Sequence, residues 1–151
     1  MKPPLLEGIP RVRQLLQTQR FAVLATEDPE GPYASLVGFA PREGLGVLVF
    51  ATPRGTRKFG NLIRTGRGAL LVDDRPASPE DLGDGAALTV LGEAREAPDR
   101  EGARRVLLAR HPLLEGFTAS PGCALVELAV RRLLLVTRFQ HVTVFSPEDL
   151  T

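Results

Sequence analysis

The chain has 151 residues, and its 19 basic and 18 acidic side chains sum to +1. That length suits one domain, 1–151, able to bury roughly 70% of its unfolded surface. The near-zero charge excludes a general attraction to nucleic acid or anionic membrane. No apolar stretch is long enough to span a bilayer, and a lone cysteine, Cys123, excludes an internal disulfide and a cysteine-cluster metal site.

Met1 to Leu6 has one lysine and almost no apolar run, so it does not read as a secretory leader, and a cytoplasmic domain is expected. Poverty in Asn, Gln, Cys and Met fits a heat-adapted protein. Lysine occurs only at positions 2 and 58, asparagine only at 61 and tyrosine only at 33.

Leu5 to Gln19 reads as a helix with Pro10 in its first turn and Val12, Leu15 and Leu16 on one face. Arg20 to Thr26 is a β-rich run, and Asp28-Pro29-Glu30-Gly31-Pro32 is a dense turn signal. Tyr33 to Ala40 resumes as the second arm of a hairpin, and Val47 to Ala51 suits a buried strand. Thr56 can cap a helix over Arg57 to Arg64, closed off by Gly66 and Gly68, after which Ala69 to Asp73 gives a fourth strand.

Arg75 to Gly85 reads as a loop with one helical turn. Ala87 to Glu96 is a strand broken or bulged at Gly92. Asp99 to Arg110 is a second helix with Ala103, Val106 and Leu107 on one face. Ala124 to Val130, Leu133 to Thr137 and Val142 to Phe145 read as separate strands, and Ser146-Pro147 starts a final turn. Six to eight short strands with few helices point to a closed or partly open β-barrel rather than a βαβ array.

Between Glu43 and Asp73 there is no acid, yet Arg54, Arg57, Lys58, Arg64 and Arg67 give +5; the remaining 14 bases and 18 acids give −4. At 100° per residue, Arg57, Lys58, Asn61 and Arg64 share one side of the proposed helix, with Phe59, Leu62 and Ile63 on the other. The first turn of such a helix offers outward backbone N–H groups and a favourable dipole for an anion. Arg57 adds a planar fork, Lys58 a compact charge, and Gly55 lets backbone approach a ligand. A phosphomonoester satisfies this set. A solvated surface face is the plain alternative, and a nucleic-acid face would show a wider basic footprint with stacking aromatics.

The runs Pro32-Tyr33-Ala34-Ser35-Leu36-Val37, Ala51-Thr52-Pro53-Arg54-Gly55-Thr56-Arg57-Lys58, Asn61-Leu62 and Ala69-Leu70-Leu71-Val72 resemble the pyridoxamine-phosphate-oxidase-like FMN-binding split barrels. The resemblance is closest to their haem-utilisation branch, and runs over roughly Arg20 to Asp74 with weaker support to Phe145. It implies a Greek-key split barrel that dimerises with FMN at the subunit interface. Ser35, Leu36 and Val37 would then meet the flavin ring. Ala51 and Thr52 would line the ring and ribityl chain, and Thr56, Arg57, Lys58 and Asn61 would hold the phosphate. Residues around Gln140 of a second copy would complete the pocket. The implied chemistry is flavin-dependent oxidation or reduction of a small molecule, with a flavin or haem carrier or sensor, or a deazaflavin-dependent reductase, as alternatives.

The chain departs from that family's pyridoxal-producing members in lacking tryptophan altogether and the C-terminal arginine–histidine signature, and it has no room for the extra domain of the haem-degrading members. His111 reads as helix-terminal, and His141 as facing cofactor or solvent, with no metal site at either. Cys123 reads as a buried, inert thiol. Ser35 lacks the Gly-x-Ser-x-Gly setting of a hydrolase nucleophile, and Tyr33 reads as strand packing or a stacking ring.

Overall fold

The computed structural model describes residues 3–151, with side chains from Glu7 onward, so the first residues of the segment weighed as a leader lie outside the described residues. In chain order the elements are α1 (Pro3–Thr18), β1 (Phe21–Asp28), β2 (Gly31–Pro41), β3 (Val47–Pro53), α2 (Arg57–Thr65) and β4 (Arg67–Asp73). They continue as α3 (Asp81–Asp84), β5 (Ala87–Glu96), α4 (Arg100–Arg110), α5 (Glu115–Ala119), β6 (Cys123–Thr137) and β7 (His141–Phe145), with 3-10 turns at Pro112–Leu114 and Pro147–Leu150.

The strands form one antiparallel sheet in the order β3-β2-β1-β4-β5-β6-β7, and a further β3–β6 pairing closes six of them into a barrel with β7 appended. Because β4 returns beside β1 after the β1-β2-β3 meander, the topology is a Greek key. Alternating residues fill the barrel: Ala22 and Leu24, Val37 and Phe39, Leu48 and Phe50, Leu70 and Val72, Leu88 and Val90, Val126 and Leu128 are all buried. Val12, Leu15 and Leu16 of α1 join this core, and so does Leu62 of α2. Outside the barrel, Ala103 and Leu107 of α4 pack on Ala40, Val49 and Leu125 in a second cluster.

Three expectations are corrected. Pro10 lies inside α1 rather than in its first turn. There it removes one backbone bond, and the burial of Val12, Leu15 and Leu16 holds the helix beyond it. The two late strands are one, β6, which pairs with β3, β5 and β7 along its length. The register passes from Val130↔Gly92 to Arg132↔Leu91, so Arg131 is the extra residue of a bulge. A Cβ on Gly92 would stand 2.6 Å from the Ala129 carbonyl oxygen, which explains the glycine. Finally, α2 is rotated from its expected orientation: Asn61 is 2% exposed and Ile63 is 55% exposed. Tertiary hydrogen bonds to the Asn61 amide outweigh the apolar preference of Ile63.

Two features of the barrel wall position the site. β2 pairs with β1 from Gly38 to Gly31, but with β3 only over Phe39–Pro41. The two strands then part, leaving the other edge of residues 31–38 without a strand partner among the described residues. On the outer face, Leu36, Val23, Leu71, Thr89, Leu134 and Val144 stand side by side across β2, β1, β4, β5, β6 and β7. Leu36, Leu71 and Val144 of this row are exposed.

Candidate functional site

The parting of β2 from β3 is occupied at its far end by the turn into α2. Thr52, the last inward residue of β3, is fully buried, and its hydroxyl shares a 2.8 Å hydrogen bond with the Thr56 hydroxyl. Thr56 is the N-cap of α2. Its oxygen accepts from the Phe59 N–H at 3.3 Å and donates to the Pro53 carbonyl at 2.8 Å. Capping engages the third amide of the helix, and the Gly60 N–H returns to Thr56 O at 3.2 Å. The first two amides, those of Arg57 and Lys58, make no hydrogen bond among the described residues, and no acid sits in the first turn. At its other end α2 stops at Gly66, whose φ of 70° and N–H to Leu62 O make a left-handed cap.

The five cations of the acid-free stretch divide sharply. Arg54 holds Glu96 (Nη2–Oε2 2.9 Å) and donates to Pro121 O. Its hydrogen bond holds the Glu96 carboxyl below the usual carboxylate range. Arg64 donates to Asn61 Oδ1 at 3.2 Å and to the Glu27 carbonyl, and Arg67 pairs with the Glu27 carboxylate at 3.1 Å. That leaves two. Lys58 is half-buried and makes no ion pair among the described residues. Arg57 lies with its guanidinium 5.1 Å from the Tyr33 ring centre and its Nε 3.8 Å from Asp28 Oδ1, and its two Nη groups make no hydrogen bond among the described residues.

Asn61 is placed beneath this turn. Its Nδ2 donates to Thr26 Oγ1 at 3.0 Å while Oδ1 receives Arg64, so the amide fastens α2 to β1. Ser35 lies on the edge of β2 that β3 has left, and its Oγ is buried with no hydrogen-bond partner among the described residues. Val37, two residues on, is in the core, whereas Leu36 is 68% exposed on the outer face. Ala51 is half-buried beside the α4 cluster.

Gln140 is not brought to this group within one chain. It sits at the tip of the β6–β7 hairpin, where Arg138, Phe139 and Gln140 all have positive φ. With Phe139, Leu71, Leu82 and Val136 it borders a basin of about 400 Å³ on the outer face.

Thr26 and Asp28 are the site residues that sequence reasoning passed over. Inward alternation from Ala22 and Leu24 is the signal that would have found Thr26. The histidines lie elsewhere: His111 Nε2 is 3.0 Å from the Phe39 carbonyl oxygen, and His141 is exposed. Cys123 is buried, which pushes its thiol up and keeps it protonated at neutral pH. Among the described residues no cluster of three His, Cys, Asp or Glu could hold a metal, and no helix is long and apolar enough to cross a membrane.

A six-stranded Greek-key barrel that splits beside a cationic helix turn defines the class of split barrels of the pyridoxamine-phosphate-oxidase type. The chain belongs to the pyridoxamine 5'-phosphate oxidase family, whose model matches residues 9–137. No protein of curated function matches it. One solved structure, 25% identical, superposes with a TM-score of 0.83 over 95% of each chain. A heme binding protein from Mycobacterium smegmatis is 22% identical with a TM-score of 0.82, covering 99% of this chain and 61% of that one. A FAD-binding protein from Mesorhizobium loti is 16% identical with a TM-score of 0.66, covering 83% of this chain and 89% of that one.

Proposed function

We propose that the chain binds FMN in the split between β2 and β3–α2, as a homodimer, and serves as a flavin-dependent oxidoreductase for a small molecule. The observation that carries this reading is the division of the cations. Arg54, Arg64 and Arg67 are engaged internally, whereas Arg57 has only the 3.8 Å Asp28 contact and the Tyr33 ring, and Lys58 and the two leading amides of α2 have no partner among the described residues. Two cations and two N–H donors match one phosphomonoester dianion.

In this reading Thr56, Arg57 and Lys58 hold the phosphate, Asn61 keeps α2 in place beneath them, and Thr52 lines the ribityl path. The unpaired edge of β2 at Ser35, Leu36 and Val37 presents backbone groups to the polar rim of the ring, and the partnerless Ser35 Oγ adds a buried donor. Ala51 closes the side toward β3. A flavin bound there supplies hydride or electron transfer through its N5, and the protein contributes position and electrostatics. A second copy seated on the exposed Leu36–Val144 row would bring its Gln140 to the pocket.

A haem carrier is less well supported, because His111 is engaged with Phe39 and His141 stands on an exposed strand end. A deazaflavin would share the phosphate anchor. The test is incubation with FMN followed by desalting and absorption spectroscopy. Retained flavin with shifted bands is expected, and full loss of flavin on the column overturns the reading. Sedimentation at micromolar concentration should give a dimer. Reduced flavin on the protein should pass electrons to small acceptors faster than free FMN does; equal rates would leave a binding protein without turnover.

A further inference from the structure

The hairpin that β7 makes with β6 has two unlike faces. Val142 and Val144 stand exposed on the outer one. The opposite face carries Leu135 beside Thr143 and Thr137 beside His141, and there α1 and α3 border a cavity of about 520 Å³. That volume is within the range of small-molecule sites, roughly 300–1,000 Å³. No residue of β2, β3 or α2 lines it, so it is separate from the proposed flavin cleft. Gly8 lets α1 come this close to the hairpin, since a Cβ there would stand 2.5 Å from the Phe145 ring.

The wall keeps polar capacity that the chain does not use. Arg11 spends its Nη2 on the Asp74 carboxylate at 2.6 Å, while its Nε is buried with no hydrogen-bond partner among the described residues. A buried donor normally finds an acceptor. The half-buried Thr137 and Thr143 hydroxyls make no hydrogen bond among the described residues either. With Arg11 neutralised by Asp74, the remaining charges divide by side. Glu7 lies one turn before Arg11 on α1, and the Asp84 carbonyl at the end of α3 is 3.5 Å from Arg11 Nη2, so both acids are on the helix side. Arg138 and His141 are on the hairpin side. Glu7, Asp84 and Arg138 are exposed and make no ion pair among the described residues.

We propose that this cavity is a second ligand site, for a small zwitterion whose ammonium faces Glu7 and Asp84 and whose carboxylate faces Arg138 and His141. A ligand with one charge leaves one side of the cavity uncompensated, whereas a dipolar one matches both. The threonine hydroxyls can donate to the carboxylate or accept from the ammonium, and Leu135 meets the apolar chain between them. The site stands independently of the flavin reading.

The experiment is calorimetric titration of the full chain with γ-aminobutyrate, ε-aminocaproate, caproate and hexylamine. At least one of the two amino acids should bind tenfold or more tightly than caproate and hexylamine do. Arg138→Gln should weaken that amino acid fivefold or more without weakening hexylamine. Glu7→Gln with Asp84→Asn should weaken it as much without weakening caproate. These three positions are exposed, so melting temperatures should stay near the native value. Thr143→Leu, which fills the cavity, should abolish binding while FMN affinity holds. No saturable heat from either amino acid, caproate or hexylamine bound as tightly, or an affinity unmoved by the charge variants overturns the proposal. None of these outcomes depends on whether flavin binds.

Discussion

At the junction of α1 and α4, Arg110 donates to the carbonyl oxygens of Leu16, Gln17 and Gln19 at 2.7–3.0 Å and lies over the Phe39 ring. Arg100 does the same for Thr118, Ser120 and Cys123. These arginines close helix and loop ends, and burial with the nearby Arg20 pushes the Arg110 guanidinium below its ordinary value. The turn into α2 uses the same residue type differently, holding Arg57 against a ring and a carboxylate with its Nη groups left over. Local cation density therefore does not mark a site in this molecule. What marks it is the donor that the fold has no use for.

Removing the unused donors should have the largest effect. Arg57→Ala with Lys58→Ala removes two charge-assisted contacts, expected to cost about 3–6 kcal/mol of FMN affinity, with the melting temperature nearly unchanged. Comparable affinity in calorimetry would place the phosphate elsewhere. Arg110→Ala should invert that pattern, losing about 1–3 kcal/mol of stability in a denaturant titration as the part-buried Leu16 and Gln19 carbonyls lose their partner. Flavin affinity measured well below the midpoint should hold.

Asn61→Ala joins the two behaviours, because it leaves the Thr26 hydroxyl and Arg64 without their partner. A stability loss of about 1–3 kcal/mol with a smaller loss of FMN affinity is expected. Thr56→Ala removes the α2 cap, worth about 1 kcal/mol of stability, together with the hydroxyl's bonds to Thr52 and Pro53, and should weaken FMN binding less than the double change does.

Acidification should separate the regions as well. A phosphomonoester loses its second charge below about pH 6, so FMN should bind more weakly there while riboflavin does not. Glu96 is held low by Arg54, so their contact persists down through the ordinary carboxylate range and is lost only as pH falls through the lowered value. A stability profile from pH 7 to pH 3 should show a small share of the acid-end loss from this exposed pair, and Arg54→Ala should remove that share while the part from Glu93, also held low by its arginine partner, remains.

Strand alternation made most of the barrel legible, since one buried face per strand writes a period of two into the sequence. The continuity of β6 was hidden by Arg131 and Arg132: two consecutive exposed arginines read as a break, and only the register with β5 shows a bulge. α5 was not anticipated, because Glu115–Ala119 is too short to display a helical period. The acid-free stretch pointed to the α2 turn, but charge alone did not tell Arg57 from Arg64. That distinction lies in the Glu27 carbonyl and the Thr26 hydroxyl, which come from a strand far away in sequence. The same partners reverse the places of Asn61 and Ile63.

The edge that β3 leaves on β2 has a consequence for the protein's life in a cell. An unpaired strand of this length, bordered by the exposed Leu36, is a template onto which another extended chain can add. Among the described residues its guard is Pro32 at the strand's start. On the proposed flavin reading, newly made protein short of flavin should therefore aggregate through this edge, and its soluble yield should rise with flavin supply during expression.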